Sequence, residues 1–70
     1  MPYINIKLSK VGGVGLSQEK KAEVIQKTTQ VLVDVLGRDP KTIMVLLEEA
    51  DTDNWGSGGI TVTEIIKAGK

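Results

Sequence analysis

The segment SQEKKAEVIQKTTQVLVDVLG, residues 17–37, sets the fold problem for the whole chain. Ser17 is a favoured N-cap, and Gln18 and Glu19 place polar and acidic character in the first turn, where the helix dipole favours it. Gly37 stands where a helix commonly ends in a left-handed cap. A helix is therefore predicted over residues 18–36. Ala22, Ile25, Thr29, Leu32 and Leu36 recur at spacings of three and four, with Val24, Thr28, Val31 and Val35 as a second seam beside them. The stripe predicted to be buried is wide. Lys20, Lys21, Glu23, Lys27 and Asp34 lie mainly on the remaining surface.

Apolar runs flank this helix on both sides. Residues 3–8 alternate, with Ile4, Ile6 and Leu8 on one face and Tyr3, Asn5 and Lys7 on the other, which predicts a strand with one apolar side. The following SKVGGVG crowds Gly12, Gly13 and Gly15 together, so the strand should end in a loop there. Beyond the helix, TIMVLLEE, residues 42–49, is a nearly continuous apolar run bounded by the RDP turn and by acidic residues, and reads as a second, more central strand. Strand, helix and strand of these lengths make a right-handed crossover with parallel strands. In the tail, DTDNWGSGGITVTEIIKAGK, a turn-rich loop precedes Ile60, Val62 and Glu64 alternating with Thr61 and Thr63, a short strand or hairpin that docks on a neighbour. The expected fold class is α+β. Residues 1–70 should form a single domain, a βαβ protomer with a short C-terminal strand or hairpin and a sheet completed by dimerisation.

A chain of 70 residues buries only a modest share of its surface. It has no cysteine for disulfides or thiolate metal sites and no histidine for a zinc site, which leaves oligomerisation as the stabilising device. Val, Ile and Leu supply 21 of the 70 residues, and Tyr3 and Trp55 are the only aromatics. That is more apolar surface than one helix and two or three strands hide among themselves, so a symmetric homo-oligomer is expected. Nine basic and nine acidic residues, interspersed, give zero net charge and no electrostatic footprint for nucleic acid. No stretch approaches a membrane span, and the N-terminus lacks the basic and apolar regions of a signal peptide. A cytoplasmic location is expected, with no membrane partner.

The chemical inventory is thin: no histidine, no cysteine and no nucleophile elbow. The chain is too short for a dinucleotide fold, and VGGVG and WGSGG lack the spacing and the following Lys-Ser/Thr of a phosphate loop. Both read as turn punctuation. Glu48, Glu49, Asp51 and Asp53 lack the spacing of a calcium loop and read as a solvated face, so no metal site is predicted. Pro2 is the distinctive group. Without a backbone donor it is tolerated as the first residue of a strand, which is its plain structural reading. Once Met1 is removed, as is usual before a small residue, Pro2 becomes a terminal secondary amine. An α-amino group has a pKa of about 7.7 to 8.0 in peptides, and apolar burial or a nearby cation lowers it toward the range of a general base. The ring also fixes its lone pair better than a lysine stem does. With Met1 attached, the same nitrogen is an amide and has no basicity.

Taken in order, MP and an alternating strand, the helix SQEKKAEVIQKTTQVL, the strand TIMVLLEE and then NWGSGG resemble the 4-oxalocrotonate tautomerase family over nearly the whole chain. The likeness extends to its 2-hydroxymuconate tautomerase-like members, which have a longer glycine-bearing loop before the helix. The resemblance implies βαβ protomers paired into dimers, with three dimers forming a hexamer. It also implies cofactor-free chemistry: an N-terminal proline takes a proton from a dienol or enol and returns it to another carbon, giving a conjugated ketone. Pro2 matches that proline. Trp55 matches the aromatic before the Gly-x-Gly-Gly turn that closes the pocket, and it equally suits an interface anchor.

The sequence departs from the family at two cationic positions. Met44 falls where the second strand carries an arginine, and methionine supplies no charge. Near the other arginine, Lys10 is the nearest cation, a compact charge instead of a two-pronged fork, with a solvated loop lysine as its plain reading. Arg38, the only arginine, suits an exposed capping or inter-subunit role. The expected function is a keto-enol tautomerase acting on a small enol or keto acid such as a 2-hydroxydienoate. Pro2 would shuttle the proton, Trp55 would cover the pocket and Lys10 or amides near Ser9 would orient the substrate, with Met44 lining the site. A hydratase or dehalogenase of unsaturated acids on the same fold, and a non-catalytic oligomeric binding module, which Met44 favours, stay as alternatives.

Overall fold

Residues 2–10 and 14–69 are described by the structure, a computed structural model. Removal of Met1 and the loop reading at Gly12 and Gly13 fall outside the described residues. The elements are β1 (Tyr3–Lys10), α1 (Gln18–Leu36), β2 (Met44–Asp51), β3 (Gly56–Ser57), β4 (Ile60–Thr61) and α2 (Val62–Lys67), with 3-10 turns at Pro40–Thr42 and Thr52–Asn54. The result is an α+β fold, a βαβ unit followed by a short hairpin and helix. It divides into two units, Met1–Ile6 with Leu16–Glu48, and Lys7–Gly15 with Glu49–Lys70.

In the first unit α1 has the predicted ends. The Ser17 hydroxyl accepts the Lys20 N–H at 3.1 Å, and Gly37, at φ 66°, donates its N–H to Val33 O at 3.0 Å. The wide stripe divides. Val24, Thr28, Thr29, Leu32 and Val33 are half-buried, as are Ile4 and Ile6 of β1 and Val45 and Leu47 of β2, the set that a helix laid on a sheet covers. Ala22, Ile25, Val31, Val35 and Leu36 stay exposed. Ile43, at 8% exposure, is the buried apolar residue among the described ones.

β1 and β2 form a two-stranded sheet. Met44 N–H donates to Pro2 O at 3.0 Å, and Asn5 Nδ2 donates to Glu48 Oε1 at 3.1 Å. The paired positions advance together along both strands, so the strands are parallel, as the crossover predicts. Two boundaries differ from the expected ones. β1 continues past Leu8 through Ser9 and Lys10, keeping its alternation. β2 starts at Met44 instead of Thr42, because Pro40 at a helical first position and the Asp39 carboxylate, which accepts the Lys41 N–H at 3.0 Å, draw residues 40–42 into a 3-10 turn. The apolar run of β2 is also covered on one face only: Met44, Leu46 and Glu48 are exposed beside Tyr3 and Asn5.

In the second unit β3 and β4 pair antiparallel, Gly56 opposite Thr61 and Ser57 opposite Ile60. Gly58 (φ 62°) and Gly59 (φ 85°) form the two-residue turn between them, and a turn with both central residues at positive φ favours glycine at each. The tail departs from expectation after Thr61. Val62 and Glu64, read as a continuing strand, lie in α2. The Thr61 side chain accepts the Glu64 N–H at 3.2 Å, an N-cap that turns the chain out of extended geometry. Val62 N–H donates to Trp55 O at 2.9 Å, so the hairpin runs directly into the helix. Among the described residues no helix is long and apolar enough to cross a membrane.

Candidate active site

In the first unit the first strand opens on Pro2 and the second on Met44. Pro2 is half-buried, and its carbonyl oxygen is fixed by the Met44 N–H. The position at which the resemblance expects an arginine is therefore bonded to the proline through its backbone. The Met44 side chain is 54% exposed, on the same sheet face as Tyr3. It presents a polarisable, uncharged surface there.

The second unit holds Ser9, Lys10 and Trp55. Lys10, the last residue of β1, is half-buried and lines a cleft of about 430 Å³ together with Asp51, Thr52, Asp53, Thr63, Ile66 and Lys67. It is a strand-end cation, not a solvated loop lysine. Ser9, one residue earlier, is exposed on the opposite face of the strand and does not line the cleft. Trp55 ends the second 3-10 turn, donating its backbone N–H to Thr52 O at 3.4 Å. Its side chain is half-buried, and its indole Nε1–H is enclosed without an acceptor among the described residues. An enclosed donor of this kind costs about 1–3 kcal/mol until an acceptor reaches it.

The acidic cluster is divided among different neighbours. Glu48 accepts from Asn5, and Glu49 lies so close to Gly15 that a Cβ there would sit 2.9 Å from Oε1. Asp51 and Asp53 line the cleft instead. Arg38 is exposed just past the C-cap of α1.

Reading the sequence missed the contribution of α2. Thr63, Ile66 and Lys67 face the cleft because a helix, not a strand, follows Thr61. The signal was present as Thr61-x-x-Glu64, the spacing of a capping box, with Lys67 in the last turn.

The family model described as tautomerase enzyme matches residues 2–65, a span that takes in Pro2, Lys10, Met44 and Trp55. The chain is 47% identical over 64 residues to the probable tautomerase K2 of Dickeya dadantii (strain 3937), covering 91% of each. It is 31% identical over 65 residues to the 2-hydroxymuconate tautomerase of Comamonas testosteroni, covering 93% of this chain and 97% of that one. Its fold matches the crystal structure of DmpI from Helicobacter pylori with a TM-score of 0.82 at 35% identity, over 94% of this chain and 97% of that one. The strand, crossover helix, strand and glycine hairpin thus recur in proteins that share its sequence, and the chain belongs to the tautomerase family, enzymes of the isomerase class.

Proposed function

We propose that this chain, once Met1 is removed, is a cofactor-independent keto-enol tautomerase acting on a 2-hydroxydienoate or a related enol acid, with Pro2 as the proton carrier. The Pro2 nitrogen takes the hydroxyl proton of the enol as the C=O bond forms. The resulting ammonium returns a proton to a carbon of the conjugated system, where a C–H bond forms and the double bond shifts. No other atom is gained or lost. The observation that supports this reading is the bond from Met44 N–H to Pro2 O. It fixes the residue through its carbonyl side, and the ring carries that rigidity to the nitrogen. Lys10 stands at the far end of β1 from Pro2 of its own chain, so the Lys10 that orients the carboxylate comes from a neighbouring copy, and Trp55 excludes water, which strengthens the electrostatics of the proton transfer.

The assembly that goes with this reading is a homo-oligomer, a hexamer built as a trimer of dimers, working in the cytoplasm. Its support is the apolar surface that one chain leaves open: Tyr3, Met44 and Leu46 on the sheet, and Val31, Val35 and Leu36 on α1. The test is Pro2→Ala in protein whose intact mass proves Met1 removal. Turnover of a 2-hydroxydienoate should fall by roughly 10²- to 10⁴-fold with the assembly unchanged. An unaltered rate would remove Pro2 from the mechanism. Titration of the amine by NMR separates a base, half-deprotonated at or below neutral pH, from an acid that stays charged above it.

A further inference from the structure

The cleft of the second unit is assembled from three places in the chain, and its charges are unequally engaged. Lys10 comes from the end of β1. Asp51, Thr52 and Asp53 come from the end of β2 and the turn after it, and Thr63, Ile66 and Lys67 from α2. Thr63 gives its single hydroxyl proton to Asp53 Oδ1, so the 2.6 Å contact between Thr52 Oγ1 and Thr63 Oγ1 has Thr52 as its donor. Asp53 therefore has a hydrogen-bond donor. The side chains of Lys10, Lys67 and Asp51 enter no hydrogen bond or ion pair among the described residues. Two ammonium groups thus share the cleft with two carboxylates, Asp53 held by the Thr63 hydroxyl and still charged and Asp51 unengaged, beside the apolar Ile66.

We propose that this cleft seats one carboxylate of the substrate between Lys10 and Lys67, and that Asp51 selects a monocarboxylate over a dicarboxylate by repelling a second negative charge. Lys67 is then a specificity-determining residue contributed by α2. Ammonium groups are compact donors and accept a carboxylate in many orientations, which suits a seat approached from two separate elements. Ile66 offers the adjoining hydrocarbon chain an apolar contact.

The identity of the ligand rests on the tautomerase reading, but the test needs no turnover. Processed full-length protein is titrated by NMR with hexa-2,4-dienoate, its amide and hexa-2,4-dienedioate, none of which carries an enol hydroxyl. The monoacid should shift the resonances of Asp53, Ile66 and Lys67. Lys67→Ala should weaken the monoacid by roughly three- to fivefold, the range for an exposed ion pair, while Lys67→Arg keeps its binding. Lys10→Ala, at a half-buried position, should weaken it by roughly tenfold. The amide should bind more weakly than the monoacid and be indifferent to Lys67→Ala. The diacid should also bind more weakly, and Asp51→Asn should narrow that gap. An unchanged monoacid affinity in Lys67→Ala, an equal loss for acid and amide, or a diacid that binds the unaltered protein more tightly than the monoacid would overturn the proposal. If Pro2→Ala keeps full turnover while the Lys67 effects hold, the proton carrier is wrong and the carboxylate seat stands.

Discussion

Helices α1 and α2 begin with the same chemistry and persist for different reasons. Each starts on a hydroxyl that accepts the N–H three residues on, Ser17 from Lys20 and Thr61 from Glu64. α1 then runs 19 residues and lays a half-buried stripe on its unit. α2 stops after 6, a length at which a helix has little stability of its own. Its entry is held by Val62 N–H to Trp55 O, its first turn by Thr63 to Asp53, and its exit by Ala68 N–H to Glu64 O. A cap decides where a helix begins; length and outside contacts decide whether it lasts.

The sharpest way to break this contrast is to remove apolar cover from α1. Leu32→Ala should cost roughly 2 kcal/mol, the low end for a core leucine because the site is only half-buried. Denaturant unfolding at fixed protein concentration measures it, and a loss below about 0.5 kcal/mol would mean that α1 does not depend on its stripe. Next in size is Thr63→Val, which deletes the donor to Asp53 and the acceptor for Thr52 and should cost about 1–2 kcal/mol locally. Hydrogen exchange should accelerate across residues 62–67 and leave the amides of α1 unchanged; a uniform acceleration would deny α2 its separate tether.

Removing the caps sharpens the same comparison. Ser17→Ala and Thr61→Ala should each cost about 1 kcal/mol, the first lowering the global unfolding midpoint and the second appearing only as faster exchange in α2. Equal shifts of the global midpoint would erase the distinction. The smallest effect should come from Glu23→Gln, which breaks the 2.9 Å pair with Lys27 on the exposed side of α1. With side-chain exposures of 50% and 76%, that pair is worth at most about 0.5 kcal/mol, and a thermal midpoint unchanged within error is the expected result.

The same contrast explains what could be read in the sequence. α1 spans more than five turns, so its spacing of three and four repeats often enough to be recognised, and Ser17 and Gly37 mark both ends. α2 has fewer than two turns, too few for that spacing to appear. Its opening residues, Ile60-Thr-Val-Thr-Glu64, alternate and are rich in β-branched side chains, so strand preference outweighed the capping pair Thr61 and Glu64. Likewise, Asp39 and Pro40 carried the turn chemistry that delays β2, but the apolar run beginning at Ile43 concealed the boundary.

The candidate site was legible where it follows from local identity. Pro2 could be singled out by its own chemistry, whereas Lys10 and Trp55 were reached only through the family resemblance, with Lys10 expected in the loop after a strand ending at Leu8. The cleft could not be singled out, because residues 10, 51–53 and 63–67 are brought together only by the fold, and the share of α2 depends on its being a helix. The division of the α1 stripe into a covered and an open half is likewise set by tertiary packing. Periodicity reports which residues are apolar without reporting how many of them one chain can cover.

Ile43 gives that division its consequence. Among the described residues of an isolated chain, a single apolar side chain falls below a tenth of its full exposure. In the proposed assembly such a chain draws its order from surfaces covered by mass action, and dilution then acts on it as a denaturant. Its unfolding midpoint should then depend on concentration as much as on sequence, so a lesion mild in a concentrated sample should become severe in a dilute assay.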